Sequence, residues 1–194
     1  MRSVTRVVLA VLAAIATLLA LTACGQEKEA GGAQSGMPPP VAAHSDDVSA
    51  PVKLTVQGAA AEVATVDTDT DGVLLPPTDI NEVGWWVGSA LPGSGKGTVV
   101  VTGHVDDVSQ GKGFAARFPG LKSGDTVSLT TAGHGQHDYR VTRVDEVNKN
   151  GGLPTDQLNR LDGPETLALV TCGGPFVGPP LGYQDNIVVW ASPA

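Results

Sequence analysis

The sequence predicts an all-β fold, a barrel or sandwich of roughly seven or eight short strands. Three observations predict it. Apolar residues fall in short alternating or β-branched runs separated by turn residues. The 194 residues include 25 glycines and 14 prolines, which suit many turns better than long helices. Helical periodicity is thin throughout.

Taken in order, Val52–Val56 alternates apolar and polar positions as a half-buried strand does, and Glu62–Val66 is a second, weaker strand. Thr98–Thr102 is a continuous β-branched run between Gly97 and Gly103, the pattern of a central strand buried on both faces. Thr126–Thr130 and Tyr139–Val147 flank the turn-rich segment Ala132–Asp138, a hairpin loop. Thr166–Thr171 and Asn186–Ala191 are the last two strands. Phe114–Phe118, before Pro119-Gly120, and Thr155–Leu161 are the two short helices expected. There is no internal repeat.

The N-terminus reads as an export signal. Arg2 and Arg6 precede the apolar run Val7–Ala20, which ends in Leu21-Thr22-Ala23-Cys24-Gly25. The run is too short and unsuitably flanked for a stable membrane span. Its ending resembles the bacterial lipobox, so residues 1–23 are expected to be cleaved and Cys24 to carry lipid; an ordinary signal peptide with an incidental cysteine is the alternative. Residues 24–50, rich in Gly, Ala, Ser and Pro, read as a flexible tether. Residues 51–194 then make one domain. The expected location is the outer face of the cytoplasmic membrane, lipid-anchored. A net charge of −8 with no concentrated positive face argues against nucleic acid as a partner.

With Cys24 acylated, Cys172 is left without an intrachain partner in an oxidising compartment. A leftover cysteine there means intermolecular pairing, a reactive thiol, or a buried small hydrophobe. Context favours chemistry. The central run ends in Gly103-His104-Val105-Asp106, and Leu167–Thr171 ends at Cys172-Gly173-Gly174-Pro175. Two strand ends thus deliver a histidine and a cysteine to a rim, where an imidazolium stabilises a thiolate.

Thr171–Phe176, followed by Tyr183-Gln184-Asp185-Asn186-Ile187-Val188-Val189, resembles the cysteine and last-strand signature of sortases, and Gly103–Asp106 is similar to their histidine motif. Val83-Gly84-Trp85-Trp86 and the Asp71-Gly72 turn before Leu74-Leu75-Pro76-Pro77 resemble the class F/E group of high-GC Gram-positive bacteria. The resemblance covers about residues 51–194. It implies an eight-stranded β-barrel and a membrane-bound transpeptidase with Cys172 as nucleophile and His104 as its proton partner. The implied partners are a peptide sorting signal and an amine acceptor such as a cell-wall precursor, with neither metal nor organic cofactor. One position departs from the family pattern: Gln184 stands where sortases carry an arginine that steadies the oxyanion or holds substrate. A neutral amide donates more weakly than a charged group, so weak turnover is expected, and a sortase-fold peptide-binding scaffold is the rival reading. An L,D-transpeptidase is a third, but its Ser-His-Gly-Cys type motif with a following arginine is missing.

Other signals weigh less. Asp67–Gly72 resembles the opening of a calcium loop, but Thr78 stands where a bidentate Glu is needed and Pro76-Pro77 exclude the flanking helix, so a solvated turn is expected. His134 and His137 lack a third ligand nearby and read as an exposed hairpin tip. One of Trp85 and Trp86 must face inward. Leu91-Pro92-Gly93-Ser94-Gly95, superficially like a sorting signal, reads as the loop before the central strand.

Overall fold

A computed structural model describes residues 38–194. The expected signal peptide and the lipid-bearing Cys24 lie outside the described residues. The strands are β1 (Val41–Ala42), β2 (Pro51–Val56), β3 (Ala59–Asp67), β4 (Val83–Trp86), β5 (Thr98–Thr102), β6 (Asp106–Asp107), β7 (Gly111–Lys112), β8 (Thr126–Thr131), β9 (Gln136–Asn148), β10 (Thr166–Gly178) and β11 (Gly182–Pro193). A 3₁₀-helix spans Phe114–Gly120, a second 3₁₀ turn spans Lys149–Gly151, and the α-helix α1 spans Thr155–Leu158.

Eight strands close on themselves in the order β3-β2-β8-β9-β11-β10-β5-β4, the parallel pairing of β4 with β3 completing the ring. Most pairings are antiparallel, and β10 with β5 is the other parallel one. Closure leaves the ring without a free edge strand, which is why short strands suffice. The fold is the eight-stranded barrel that the sequence resemblance implied. The closing strand is β4, whose Gly84-Trp85-Trp86 carries too little alternation to be read as a strand by pattern alone.

Alternation along each strand sends one set of side chains inside. Leu54, Val56, Val83, Trp85, Val99, Val101, Leu129, Tyr139, Leu167, Leu169 and Val189 fill the interior, together with Phe114, Ala115 and Phe118 of the 3₁₀-helix. The opposite set makes a second core. Val100, Ala168, Val170, Val188 and Trp190 pack with Leu158 of α1, backed by Leu74, Trp86, Val147 and Leu153. All five residues of β5 are therefore buried, which accounts for its unbroken β-branched sequence.

Three expectations are adjusted. Helix α1 stops at Leu158 rather than Leu161, because the Arg160 carbonyl accepts from the Thr98 backbone N–H at 2.8 Å and draws the chain out of helical register. Strand β10 continues past Cys172 to Gly178, paired with β11 through register shifts despite its Gly-Gly-Pro run. Within the stretch expected to be tether, β1 pairs with Val66 and Asp67 of β3, Ala50 is buried, and its carbonyl accepts from Ala132 N at 2.9 Å. The folded unit thus reaches N-terminally beyond Pro51, because β3 is longer than β2 and leaves backbone groups for β1 to satisfy.

The Leu91–Gly95 segment is a pinned loop. The buried carboxylate of Glu165 accepts from Gly93 N at 2.9 Å, from Gly95 N at 2.6 Å and from the Tyr139 hydroxyl at 2.6 Å. Burial, then the Glu165 contact, pushes the Tyr139 phenol far up, so it remains a donor. Gly93 has φ +75°, and a Cβ there would strike the His137 ring.

Trp85 is 2% exposed and donates to the Ala90 carbonyl at 3.2 Å, whereas half-buried Trp86 reaches Asp67 Oδ1 at 3.1 Å. Trp85→Ala is expected to lower unfolding stability by about 3–5 kcal/mol. Trp86→Ala should cost clearly less, as measured by urea denaturation of the two variants side by side.

Candidate active site

The site is organised by the parallel pair β5–β10. Their register sets Thr102 against Val170. Beyond it, Gly103 N donates to the Val170 carbonyl at 3.1 Å and the Thr171 hydroxyl donates to the Gly103 carbonyl at 2.8 Å. These bonds clamp the two strands one residue short of both His104 and Cys172. Both half-buried side chains therefore emerge at the same rim. Alternation assigns Cys172 to the same face as Ala168 and Val170, where it follows the end of the second core and is only half-buried, rather than to the barrel interior.

Strand β11 flanks Cys172 on its other side. Asn186 is its direct partner, and Gln184 lies two residues earlier on the same alternation, at the register shift between Gly173 and Phe176. The structure thus brings Cys172, His104 and Gln184 to neighbouring strands at one end of the barrel. The Cys-Gly-Gly sequence is explained locally: a Cβ on Gly173 would meet the Ile187 side chain, and Gly174, at φ +71°, leaves room for the Asp185 carboxylate.

His104 sits in a negative field. Burial pulls its imidazole below the ordinary histidine range, and the carboxylates of Asp107 and Asp106 pull the other way without overcoming it. Asp107 is held below the usual carboxylate range, chiefly by the Ser109 hydroxyl at 2.6 Å and then by the backbone N–H groups of Ser109 and Gln110. Asp106 is tied elsewhere: it accepts at 2.5 Å from the hydroxyl of Tyr183, whose phenol is raised mainly by that contact. This bond joins β11 to the histidine loop across 77 positions of sequence. Tyr183 in turn packs edge-on against Phe176, ring centroids 5.3 Å apart. The histidine loop also lines a cavity of about 380 Å³ with Val105, Asp106, Asp107, Gly111, Lys112 and Ala116.

A residue that no motif flagged touches the sulfur. Lys149 Nζ lies 3.6 Å from Cys172 Sγ and donates to the Leu181 carbonyl at 3.2 Å. The arginines of the domain are committed elsewhere. Arg117 stacks on Phe114, Arg143 on Trp190, Arg140 binds the Gly124 carbonyl, and Arg160 binds Asp162, Pro164 and Thr166. Of the weaker sequence signals, Asp69 Oδ1 accepts from Asp71 N and Val73 N in a tight turn, and His134 takes a positive φ in the hairpin turn.

The His104 imidazole is expected to titrate below 6.5 in a proton NMR titration, assigned by loss of its signal in His104→Ala. Asp107→Asn removes a carboxylate that favours the protonated ring, so it should move the midpoint lower still.

A Sortase domain model matches residues 54–194. Among solved structures the chain is similar to sortase C of Clostridium perfringens SM101, with 18% identity, TM-score 0.55, and 78% of this chain and 72% of that one covered. It is similar also to sortase C-1 of Actinomyces oris, at 22% identity and TM-score 0.57, covering 74% of each. A lid mutant of Corynebacterium diphtheriae sortase A matches at 24% identity and TM-score 0.52, covering 74% of this chain and 70% of that one. None of the curated proteins compared by sequence matches. The family match spans nearly the whole barrel and includes the clamped strand ends, so the chain belongs to the sortase family of cysteine transpeptidases.

Proposed function

We propose that the protein is a lipid-anchored cysteine transpeptidase of the class F/E type, acting on a peptide sorting signal at the outer face of the cytoplasmic membrane. The observation that carries the reading is the clamped β5–β10 register, which delivers His104 and Cys172 to one rim of a barrel matched by the sortase family. The class assignment rests on the Val83–Trp86 and Asp71-Gly72 motifs.

In the first half-reaction the Cys172 thiol gives its proton to His104, and a sulfur lone pair forms the S–C bond to the scissile carbonyl carbon. The C=O π electrons move onto oxygen. When the oxyanion collapses, the C–N bond breaks and the leaving amine takes the proton from the His104 imidazolium. In the second, an acceptor amine attacks the thioester and surrenders a proton to His104. The C–S electrons return to sulfur, and Cys172 leaves as thiolate. Half-burial of His104 favours its neutral ring, the form that accepts a proton in each half-reaction.

Gln184, at the position where sortases carry arginine, favours a second reading: a sortase-fold scaffold that holds peptides with little turnover. A sorting-signal peptide ending in a thiol-reactive group separates the two. The enzyme reading expects labelling of Cys172 that falls by a factor of about 10² or more in His104→Ala. Peptide binding that survives Cys172→Ala, with no labelling of the unaltered chain, would establish the scaffold instead.

Anchoring rests on the lipobox-like Leu21–Cys24. Metabolic labelling with a fatty-acid analogue is expected in the full chain and lost in Cys24→Ala. Label that persists in that variant overturns the anchor.

A further inference from the structure

We propose that Lys149 is a further catalytic residue, whose ammonium supplies at the Cys172 sulfur the positive charge that position 184 does not. The inference rests on the sortase reading above and deepens it.

The geometry is that of a charge built into the site. Strand β9 ends where Asn148 pairs with Asp185 of β11, and the Asn148 side-chain amide donates to Asp185 Oδ1 at 2.8 Å. The Asn148 carbonyl oxygen Oδ1 accepts from Asn150 N at 3.0 Å, capping the 3₁₀ turn Lys149–Gly151. Asp185 is itself the strand partner of Gly173, next to the nucleophile. Lys149 thus stands on a frame fixed to the same backbone that carries Cys172, as a catalytic group requires.

Its charge is not spent on an anion. The ion pairs among the described residues are His44–Asp46 and Arg143–Asp145, and Lys149 is in neither. Of its three N–H donors, one points to Sγ and one to the Leu181 carbonyl, leaving a third for an incoming carbonyl oxygen. Negative charge resides on sulfur before attack and on the adjacent oxygen after it. A cation 3.6 Å from Sγ serves both states. Lysine differs from arginine in being a compact point charge without a planar fork, so it stabilises charge without gripping a substrate amide bidentately.

Two measurements test the role. The first is alkylation of Cys172 in the full chain by anionic iodoacetate and neutral iodoacetamide, followed by mass spectrometry of the Cys172 peptide. The fraction of thiolate cancels in the ratio of the two rates, which therefore reports local charge. Lys149→Gln is expected to lower the iodoacetate/iodoacetamide ratio by about threefold, the size of a single-charge effect several ångströms away in a water-like medium. Lys149→Arg should preserve it, and Lys122→Gln, on an exposed turn, should leave it unchanged. A packing defect would alter both reagents alike. The second is thioester formation with a sorting-signal peptide, expected to fall on the order of 10² in Lys149→Gln. Gln184→Arg should recover at least about tenfold of that loss in the Lys149→Gln background. An unchanged alkylation ratio, or an acylation rate indifferent to Lys149→Gln, overturns the proposal. If the unaltered chain forms no thioester with the sorting-signal peptide, the transpeptidase reading fails and the alkylation ratio still decides whether Lys149 puts its charge on Cys172.

Discussion

The site depends on one pairing, the parallel register of β5 and β10. A parallel pair keeps both strands running toward the same rim, so their ends arrive together in a way no hairpin provides. The Gly103–Val170 and Thr171–Gly103 hydrogen bonds extend that pairing to the last residue before the chemistry. Both strands are buried on each face, by the barrel interior and by the α1-side cluster, so neither can shift without disturbing two cores. Positional accuracy at Cys172 and His104 is thereby inherited from packing.

The remainder of the site is assembled by β11 from outside that pair. Its Asp185 is the partner of Gly173 on one edge and of Asn148 on the other, and through Asn148 it fixes the turn that bears Lys149. Its Tyr183 reaches over to Asp106 of the histidine loop. One strand therefore connects the surroundings of the sulfur with those of the imidazole. Asp106 and Asp107 thus lie on the His104 side of this connection, and Lys149 lies against the Cys172 sulfur.

How much of this was legible in the sequence follows from burial and from distance along the chain. The run Thr98–Thr102 was readable because a strand covered on both faces must be apolar throughout. Cys172 and His104 were readable because each follows such a strand directly. Strand β4 was weakly legible, since Gly84 interrupts its alternation and its strand character comes from pairing with β3 and β5. The outer half of the β10–β11 hairpin was hidden because Gly173-Gly174-Pro175 has turn composition, while the register shifts that accommodate it are tertiary. Lys149 was illegible for a plainer reason. Nothing in Val147-Asn148-Lys149-Asn150 marks a site, and the lysine meets the sulfur only through the β9–β11 pairing. Gln184 was visible as a departure, but its significance depends on which other cation is near.

Glu165 has a consequence for how such a chain can diversify. A loop with free ends drifts readily in length, but the segment at Gly93–Gly95 is held by two backbone N–H groups on a single carboxylate, which also carries the Tyr139 hydroxyl. Inserting or deleting one residue there would unseat an amide and leave a buried anion short of donors, a penalty felt at Tyr139 in the barrel wall. Variation is therefore steered to exposed side chains such as Lys96, while spacing is frozen. The loop leading into the histidine strand can change its chemistry without changing its length.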